Sequence, residues 1–281
     1  MRGNSGVKRG KREHLKEKNK MERKKITPNM DDFPEVFHTL IRDSKIYDSS
    51  CSKEARVVYI DKDNGYYLKS APKGSLKTEA ELTAYFHKKG LATEVLSYYS
   101  AENDWMLTER VPGEDCTYFK YLEDPERLCD TFAGILRELH SVDFSDCPVQ
   151  NRINSYLDTA LKNYKEGNYD TELFPDNWGY SSAEEAWRIL EENKDLLKND
   201  TLIHGDYCLP NIMLDDWRFS GFIDLGNGGV GDKHIDLFWG AWTLNFNLKT
   251  DKYRNRFLDA YGRSDIEEEI FRVIAAAEVF G

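Results

Sequence analysis

The alternation of apolar and polar residues predicts an antiparallel hairpin in the first half of the chain. Residues 56–60 and 66–69 are rich in β-branched and aromatic side chains, and the polar segment 61–65 separates them. This segment ends in Asn-Gly, which readily adopts the positive φ that a tight hairpin requires. Lys69 is therefore expected to lie on a strand.

Helical periodicity is the main pattern in the rest of the chain. Residues 78–87 carry leucine and aromatic side chains at helical spacing, so this segment is predicted to form a helix. A continuous apolar stripe over 126–140 predicts a longer helix that faces a core. Serine and acidic residues at 181–185 have N-capping chemistry, which predicts a third helix running through Leu190.

Three short apolar runs late in the chain predict strands separated by polar turns. The first ends at Ile203, and the others cover 212–214 and 219–223. Gly205 is expected to relieve crowding beside the residue that follows it, and Gly226 to let the backbone turn. The polar side chains between the runs are thus expected to meet at strand ends.

Asp206, Asn211 and Asp224 are the polar residues that give these turns their chemistry. In phosphoryl transfer, an Asp of a catalytic loop accepts the hydroxyl proton, an Asn five residues later binds magnesium, and a second Asp binds the metal ions that bridge the phosphates. Amide and carboxylate oxygens suit Mg2+ as ligands. The spacing predicts a kinase active site with Asp206 as the base and the other two residues as metal ligands.

The chain resembles the aminoglycoside 3'-phosphotransferases, small-molecule kinases with a protein-kinase-like fold, in four motifs at 204–206, 209–213, 220–226 and 232–236. The resemblance continues more weakly from about Ile26 to the C-terminus. It implies an α+β bilobal fold with an antiparallel β N-lobe and a mainly helical C-lobe. It also implies transfer of the γ-phosphoryl group of ATP, or of GTP, to an aminoglycoside hydroxyl, the 3'-hydroxyl above all, which confers antibiotic resistance.

The expected division of the chain has three regions: a basic tail at 1–25, an N-lobe at 26–110 that binds the nucleotide, and a C-lobe at 111–281 with the catalytic loop and the substrate site. The tail holds eleven Lys or Arg and three Glu, so the rest of the chain carries a net charge of −19. A block of like charge without an apolar face is expected to be disordered. The tail lacks aromatic residues that stack on bases, so nucleic-acid binding is not expected.

Lys69 is expected to contact the α- and β-phosphates of the nucleotide and to pair with a helix carboxylate, as a strand lysine does in kinases. Glu79 is the first choice for this partner and Glu81 is the alternative, because the two point to different faces of the predicted helix. Only one of them can pair with the lysine.

The resemblance implies four further nucleotide contacts. Ser52 is expected to contact a phosphate, although its loop contains no glycine. Tyr67 resembles a purine-stacking tyrosine of the family, and an aromatic residue that merely covers a sheet face is the alternative. The backbone groups of Glu109 and Val111 are expected to pair with the purine.

Further residues are assigned by the resemblance to the acceptor. Glu278 and Phe280 match the family's final helix, which contacts the drug, and Asp176 lies in a loop expected to reach it. Ala277 stands where the family usually has Asp, and Asn227 stands where it usually has Arg. These departures make a different aminoglycoside or a neutral hydroxylated acceptor an open alternative.

Two residues are expected to support the catalytic loop without taking part in the chemistry. His204 is interpreted as bracing the loop, and Asp236 matches a buried aspartate that holds the loop in place.

A metabolite kinase acting on an amino alcohol, sugar or nucleoside remains an alternative function. A nucleotide-binding pseudokinase or interaction module is a third.

Composition favours a cytoplasmic enzyme. Mean hydropathy is −0.68 and no apolar run approaches 18 residues, so neither a membrane span nor another membrane association is expected. The five cysteines show no CxxC spacing, which argues against a zinc site or a disulfide framework. The expected partner is a small cationic substrate, and the expected state is a monomer or weak dimer.

Overall fold

The computed structural model describes residues 23–51, 54–169 and 180–281, and the chain forms two compact units. Unit 1 comprises Met1–Glu123 and Ile212–Ile223, and unit 2 comprises Asp124–Asn211 and Asp224–Gly281. Residues 111–123 and 212–223 thus belong to the unit that contains the sheet, whereas the sequence-based division assigned them to the C-lobe. Residues 1–22 of the predicted tail lie outside the described residues, and the three-region division stays a prediction.

Unit 1 is built on a six-stranded antiparallel sheet with strand order β1-β2-β3-β4-β6-β5. The strands are β1 (Lys24–Ile26), β2 (Lys45–Asp48), β3 (Arg56–Asp61), β4 (Tyr66–Pro72), β5 (Val95–Ser100) and β6 (Asn103–Glu109). The predicted hairpin is β3–β4, and Lys69 lies on β4 opposite Val57. Positive φ occurs at Asp63 and Gly65, so the Asn of the Asn-Gly pair keeps an ordinary negative φ.

Aromatic residues fill the core beneath this sheet. Phe33 and Phe37 pack on Trp105 of β6 with ring centroids 5.8 and 6.1 Å apart, and Ile60 and Leu68 complete the cluster. The helices of unit 1 are His38–Arg42, Lys77–Lys88 and Phe119–Leu122. The predicted helix at 78–87 is the second of these.

A smaller antiparallel sheet in unit 1 has the strand order β10-β9-β7. Its strands are β7 (Glu114–Asp115), β9 (Ile212–Asp215) and β10 (Arg218–Phe222). The β9–β10 hairpin pairs Ile212 with Phe222, so the chain enters and leaves the hairpin at paired residues. Asn211 and Asp224 lie just before and just after this segment along the sequence.

Unit 2 is mainly helical. Its helices are Pro125–His140, Arg152–Glu166, Ala183–Asn193, Lys233–Leu248, Lys252–Tyr261 and Glu268–Glu278, and its two strands are β8 (Thr201–Ile203) and β11 (Gly229–Gly231), which pair antiparallel. The predicted helix at 126–140 begins at Pro125 with Asp124 as its N-cap, and its apolar stripe is buried. Together the two units confirm the predicted α+β class. Within the part of the chain that the structure describes, none of the helices is long and apolar enough to cross a membrane.

Gly113 and Gly74 provide a matched test of backbone packing in unit 1. Both adopt φ of +88°, but a Cβ at Gly113 would overlap the carbonyl of Leu214 on β9, whereas a Cβ at Gly74 would meet open space. Gly74→Ala should lower the free energy of unfolding by about 1–2 kcal/mol, the cost of the left-handed conformation. Gly113→Ala should lower it by roughly 1–3 kcal/mol more, because the backbone must move. Urea unfolding measures both, and equal losses would contradict this packing.

Candidate active site

Asp236 fixes the backbone immediately before Asp206. It lies in the Lys233–Leu248 helix, whose N-terminus is capped by Asp232, and it is fully buried. Its two carboxylate oxygens accept hydrogen bonds from the backbone N–H groups of His204 and Gly205, each at 2.7 Å. Two charge-assisted bonds to successive amides leave this segment little freedom. The structure thus places Asp236 against the loop that it was predicted to support.

Gly205 is required at its position for two reasons. Its φ is +81°, and a Cβ would overlap the backbone carbonyl of Asn227. The loop after Asp224 therefore lies directly against the loop before Asp206. The left-handed residue after β10 is Asp224 itself, with φ 61° and ψ 54°, whereas Gly226 does not have a positive φ. Gly226 lies in the expected turn, Leu225–Asn227, but it does not use the left-handed conformation, which Asp224 tolerates and adopts instead.

Asn211 holds the side chain of Asp206. Its Nδ2 donates to Asp206 Oδ2 at 2.8 Å and to the Asp206 carbonyl at 3.0 Å. His204 is fully buried, and its Nδ1 accepts from the Asp206 N–H at 3.3 Å. With the amide nitrogen used in this way, the Asn211 amide oxygen is left for another partner.

The ion pair expected on the sheet is present in unit 1. Lys69 Nζ lies 2.8 Å from both carboxylate oxygens of Glu79, and the Glu79 side chain is only 9% exposed. Glu81 instead lies 3.9 Å from Lys77 in an exposed pair. Glu79 is thus the partner of Lys69 and the alternative, Glu81, is excluded. Because Lys69 contacts both carboxylate oxygens of Glu79, the direction of the lysine side chain is fixed.

Glu278 is a buried carboxyl in unit 2. Its Oε1 accepts hydrogen bonds from Tyr156 Oη at 2.8 Å and from Trp239 Nε1 at 3.1 Å. Burial raises the pKa of Glu278 to about 7, and the charge of Asp206 adds to the increase. Burial therefore favours the protonated form of this carboxyl relative to an exposed glutamate.

The donor set of Asn211 and Asp224 fits a hard cation. The described residues contain no group of three His, Cys, Asp or Glu side chains arranged to hold a metal ion. An amide oxygen and a carboxylate suit Mg2+, which takes its remaining ligands from phosphate and water rather than from an all-protein cage. The residues present therefore fit magnesium better than a transition metal.

Comparison with known proteins decides the family. A model of the phosphotransferase enzyme family matches residues 52–272. A probable aminoglycoside 3'-phosphotransferase of Lactococcus lactis subsp. lactis (strain IL1403) is 50% identical over 259 residues, which are 92% of this chain and 98% of the relative. This chain belongs to the aminoglycoside 3'-phosphotransferase family.

Solved structures agree with this assignment. The crystal structure of an aminoglycoside-3'-phosphotransferase of type VIII is 26% identical, with a TM-score of 0.69, and the match covers 80% of this chain and 88% of that one. The Streptomyces rimosus aminoglycoside phosphotransferase APH(3'')-Id, solved with ADP and streptomycin, is 20% identical with a TM-score of 0.64, over 88% and 98% of the two chains. The second similarity supports the bilobal kinase-like fold alone.

The structure describes three of the four further residues assigned to the nucleotide, and their roles stay predictions. Tyr67 lies on β4, packs its ring 5.2 Å from that of Tyr59, and accepts a hydrogen bond from Arg23. Glu109 ends β6 and is exposed, and Val111 is buried. Ser52 lies outside the described residues.

Of the two further residues expected to contact the acceptor, the structure describes one. Phe280 is fully buried, with its ring edge-on to those of Tyr164 and Trp187 at 5.5 and 5.8 Å. Its carbonyl accepts a hydrogen bond from Asn163 Nδ2 at 2.7 Å, so the expected contact of Phe280 with an acceptor stays a prediction. Asp176 lies outside the described residues.

Sequence reasoning missed the two side chains that hold Glu278 and gave His140 no specific partner. Tyr156 and Trp239 lie 122 and 39 residues away from Glu278, and no local pattern links such distant positions. His140 places Nε2 3.2 Å from Asp236 and Nδ1 2.8 Å from Tyr261. A histidine at the end of a core-facing helix was the available signal, but it does not identify a partner.

Glu278→Gln should remove a pH dependence of stability. The unfolded carboxyl releases its proton near its ordinary pKa of 4.5, whereas the folded one keeps it to about 7. The free energy of unfolding contributed by this group therefore falls as pH rises through that window and stays lost above it. The difference between wild type and variant should shift by about 3 kcal/mol across the window in urea titrations. Glu269→Gln, an exposed carboxyl on the same helix, is the control, and a pH-independent difference for Glu278→Gln would contradict the burial.

Proposed function

We propose that this protein transfers the γ-phosphoryl group of ATP to a hydroxyl of an aminoglycoside antibiotic, the 3'-hydroxyl, and so confers resistance. The catalytic loop is the observation that supports this most strongly. Asp206 is held by Asn211 at 2.8 Å, and the backbone before it is held by Asp236. The name of the Lactococcus lactis relative supports the acceptor class, and the ADP and streptomycin complex of the Streptomyces rimosus protein supports a nucleotide donor.

In the proposed reaction, Asp206 acts as the general base. The acceptor oxygen forms a bond to the γ-phosphorus while the bond to the β,γ-bridging oxygen breaks, so ADP leaves with that electron pair. Asp206 takes the hydroxyl proton, which increases the nucleophilicity of the acceptor oxygen in the transition state. Asn211 supports this role because it orients the carboxylate, and Gly205 supports it because it lets the loop approach Asn227.

The nucleotide-binding residues are proposed from the family resemblance and from the Lys69–Glu79 pair. Lys69, with its direction fixed by Glu79, binds the α- and β-phosphates, and Ser52 contacts a phosphate. Tyr67 stacks on the purine, and the backbone of Glu109 and Val111 pairs with it. Asn211 and Asp224 bind Mg2+, which neutralises phosphate charge when bound. GTP remains a second possible donor.

A cationic acceptor is supported by charge. The chain beyond the basic tail carries −19, and an acidic surface attracts polycations before they bind. Glu278 is proposed to bind an acceptor ammonium group, since a nearby cation favours the ionised form of a buried carboxyl whose pKa is raised. Asp176 and Phe280 are proposed to complete the site.

The proposed setting is the cytoplasm, with the protein acting as a monomer or weak dimer. Four of the five cysteines are buried, and the sequence shows no CxxC spacing, which suits a reducing compartment. A metabolite kinase and a pseudokinase are less well supported, because the curated relatives are aminoglycoside phosphotransferases and the catalytic residues are intact.

Asp206→Asn should separate chemistry from binding. Asn keeps the shape of the side chain but cannot accept the proton, so turnover should fall by roughly a hundredfold or more while the Michaelis constant for ATP changes little. Asp195→Asn, an exposed carboxyl in the same unit, is the matched control. Turnover of Asp206→Asn within a few-fold of wild type would remove Asp206 from the role of base.

Ionic strength should reveal whether the acceptor is a polycation. Coupled ADP release, measured over a panel of aminoglycosides, should show acceptor Michaelis constants that rise with added salt, because screening weakens attraction to the acidic protein. The Michaelis constant for ATP should change less. Mass spectrometry of the product should show one added phosphoryl group. ADP release that responds to a neutral alcohol and to no aminoglycoside would leave the kinase assignment but refute the antibiotic as acceptor.

A further inference from the structure

Arg152 is a half-buried cation whose hydrogen-bonding partner is an amide. It begins the Arg152–Glu166 helix, and its Nη2 donates to Asn227 Oδ1 at 2.7 Å. Among the described residues, no carboxylate lies within 4 Å of its guanidinium. The bond to Asn227 is therefore a charge-assisted contact that does not compete with an ion pair.

The backbone on either side of Arg152 is hydrogen-bonded to β11 and to the segment that precedes β8. The Ile153 N–H donates to Asn199 Oδ1 at 3.0 Å, just before β8, and the Val230 N–H of β11 donates to the Val149 carbonyl at 2.7 Å. A Cβ at Gly231 would lie 3.3 Å from that of Arg152. The helix start cannot move without moving β8 and β11.

Asn227 lies where the two functional loops meet. It ends the short turn Leu225–Asn227 that follows Asp224, and its carbonyl occupies the space that a side chain at Gly205 would need. Asp224 has a left-handed backbone, which Asp tolerates at a cost in free energy and which contacts of the surrounding turn help to maintain. Whatever fixes Asn227 therefore fixes both the turn after Asp224 and the loop before Asp206.

We propose that Arg152 is a positioning residue for phosphoryl transfer: its guanidinium holds the Asn227 side chain, so that the turn carrying Asp224 stays seated on Gly205 and Asp206 keeps its working direction. This inference rests on the proposed function, since it takes Asp206 as the base and Asp224 as the metal ligand. Arg152 touches neither substrate in this role. Its loss changes geometry at the reacting centre, where small displacements are costly.

Steady-state kinetics of three variants test the proposal. Arg152→Met should lower kcat by about 10- to 100-fold while the Michaelis constants for ATP and acceptor stay within about threefold. Arg152→Lys keeps a charged donor and should recover part of the loss. Asn227→Ala should lower kcat to a similar degree, and the double variant Arg152→Met with Asn227→Ala should be no worse than the worse single one, because both remove the same contact. Arg256→Met, an exposed arginine paired with Asp130, is the control.

Amide hydrogen exchange supplies a readout that does not require activity. Exchange at Gly228, whose N–H bonds to the Leu225 carbonyl within the turn, should accelerate in Arg152→Met and Asn227→Ala but not in Arg256→Met. Wild-type kcat with wild-type exchange in Arg152→Met, or additive losses in the double variant, would overturn the proposal.

Two further experimental outcomes have to be interpreted separately. If Arg152→Met fails to fold, Asn227→Ala at its exposed position decides the question through the same two measurements. If wild-type protein releases no ADP with any aminoglycoside, the proposed function fails. The exchange measurement then still shows whether Arg152 holds the turn.

Discussion

The carboxylate of Asp236 is the contact on which the proposed active site depends. A buried charge is expensive unless its hydrogen-bonding capacity is used, and here both oxygens accept backbone N–H groups of the catalytic loop at 2.7 Å. His140 lies 3.2 Å from Oδ2 and adds a further contact from another helix. The cost of burying this carboxylate is thus offset only when the backbone before Asp206 adopts the conformation seen here.

The other contacts of the site extend from this point. Gly205, the second residue held by Asp236, lies against Asn227, and Asn227 is bonded to Arg152. Asn211 then sets the direction of the Asp206 side chain. The proposed catalytic loop is therefore held through its backbone, through its neighbouring turn and through the Asp206 side chain, which is the kind of preorganisation that phosphoryl transfer requires.

Local features of this site could be predicted from the sequence, and distant ones could not. The β3–β4 hairpin and the strand position of Lys69 follow from local patterns, where periodicity is informative. The pairing of Lys69 with Glu79 spans only ten residues and was predicted from the strand lysine of kinases. Tyr156 and Trp239 meet Glu278 only because helices pack, and no spacing rule connects them. Gly226 was expected to let the backbone turn because glycine is permissive, but the sequence did not show that Asp224 is the residue with the left-handed conformation.

The measurement that tests this account most directly is the effect of Asp236→Asn on turnover and on amide exchange. Asparagine would direct its NH2 group at a backbone N–H, so one bond to the catalytic loop would be lost and a donor left without an acceptor. We predict a fall in kcat of roughly a hundredfold, a nearly unchanged Michaelis constant for ATP, and faster exchange at the amides of His204 and Gly205. Wild-type turnover together with wild-type exchange would contradict the claim that this carboxylate holds the catalytic loop.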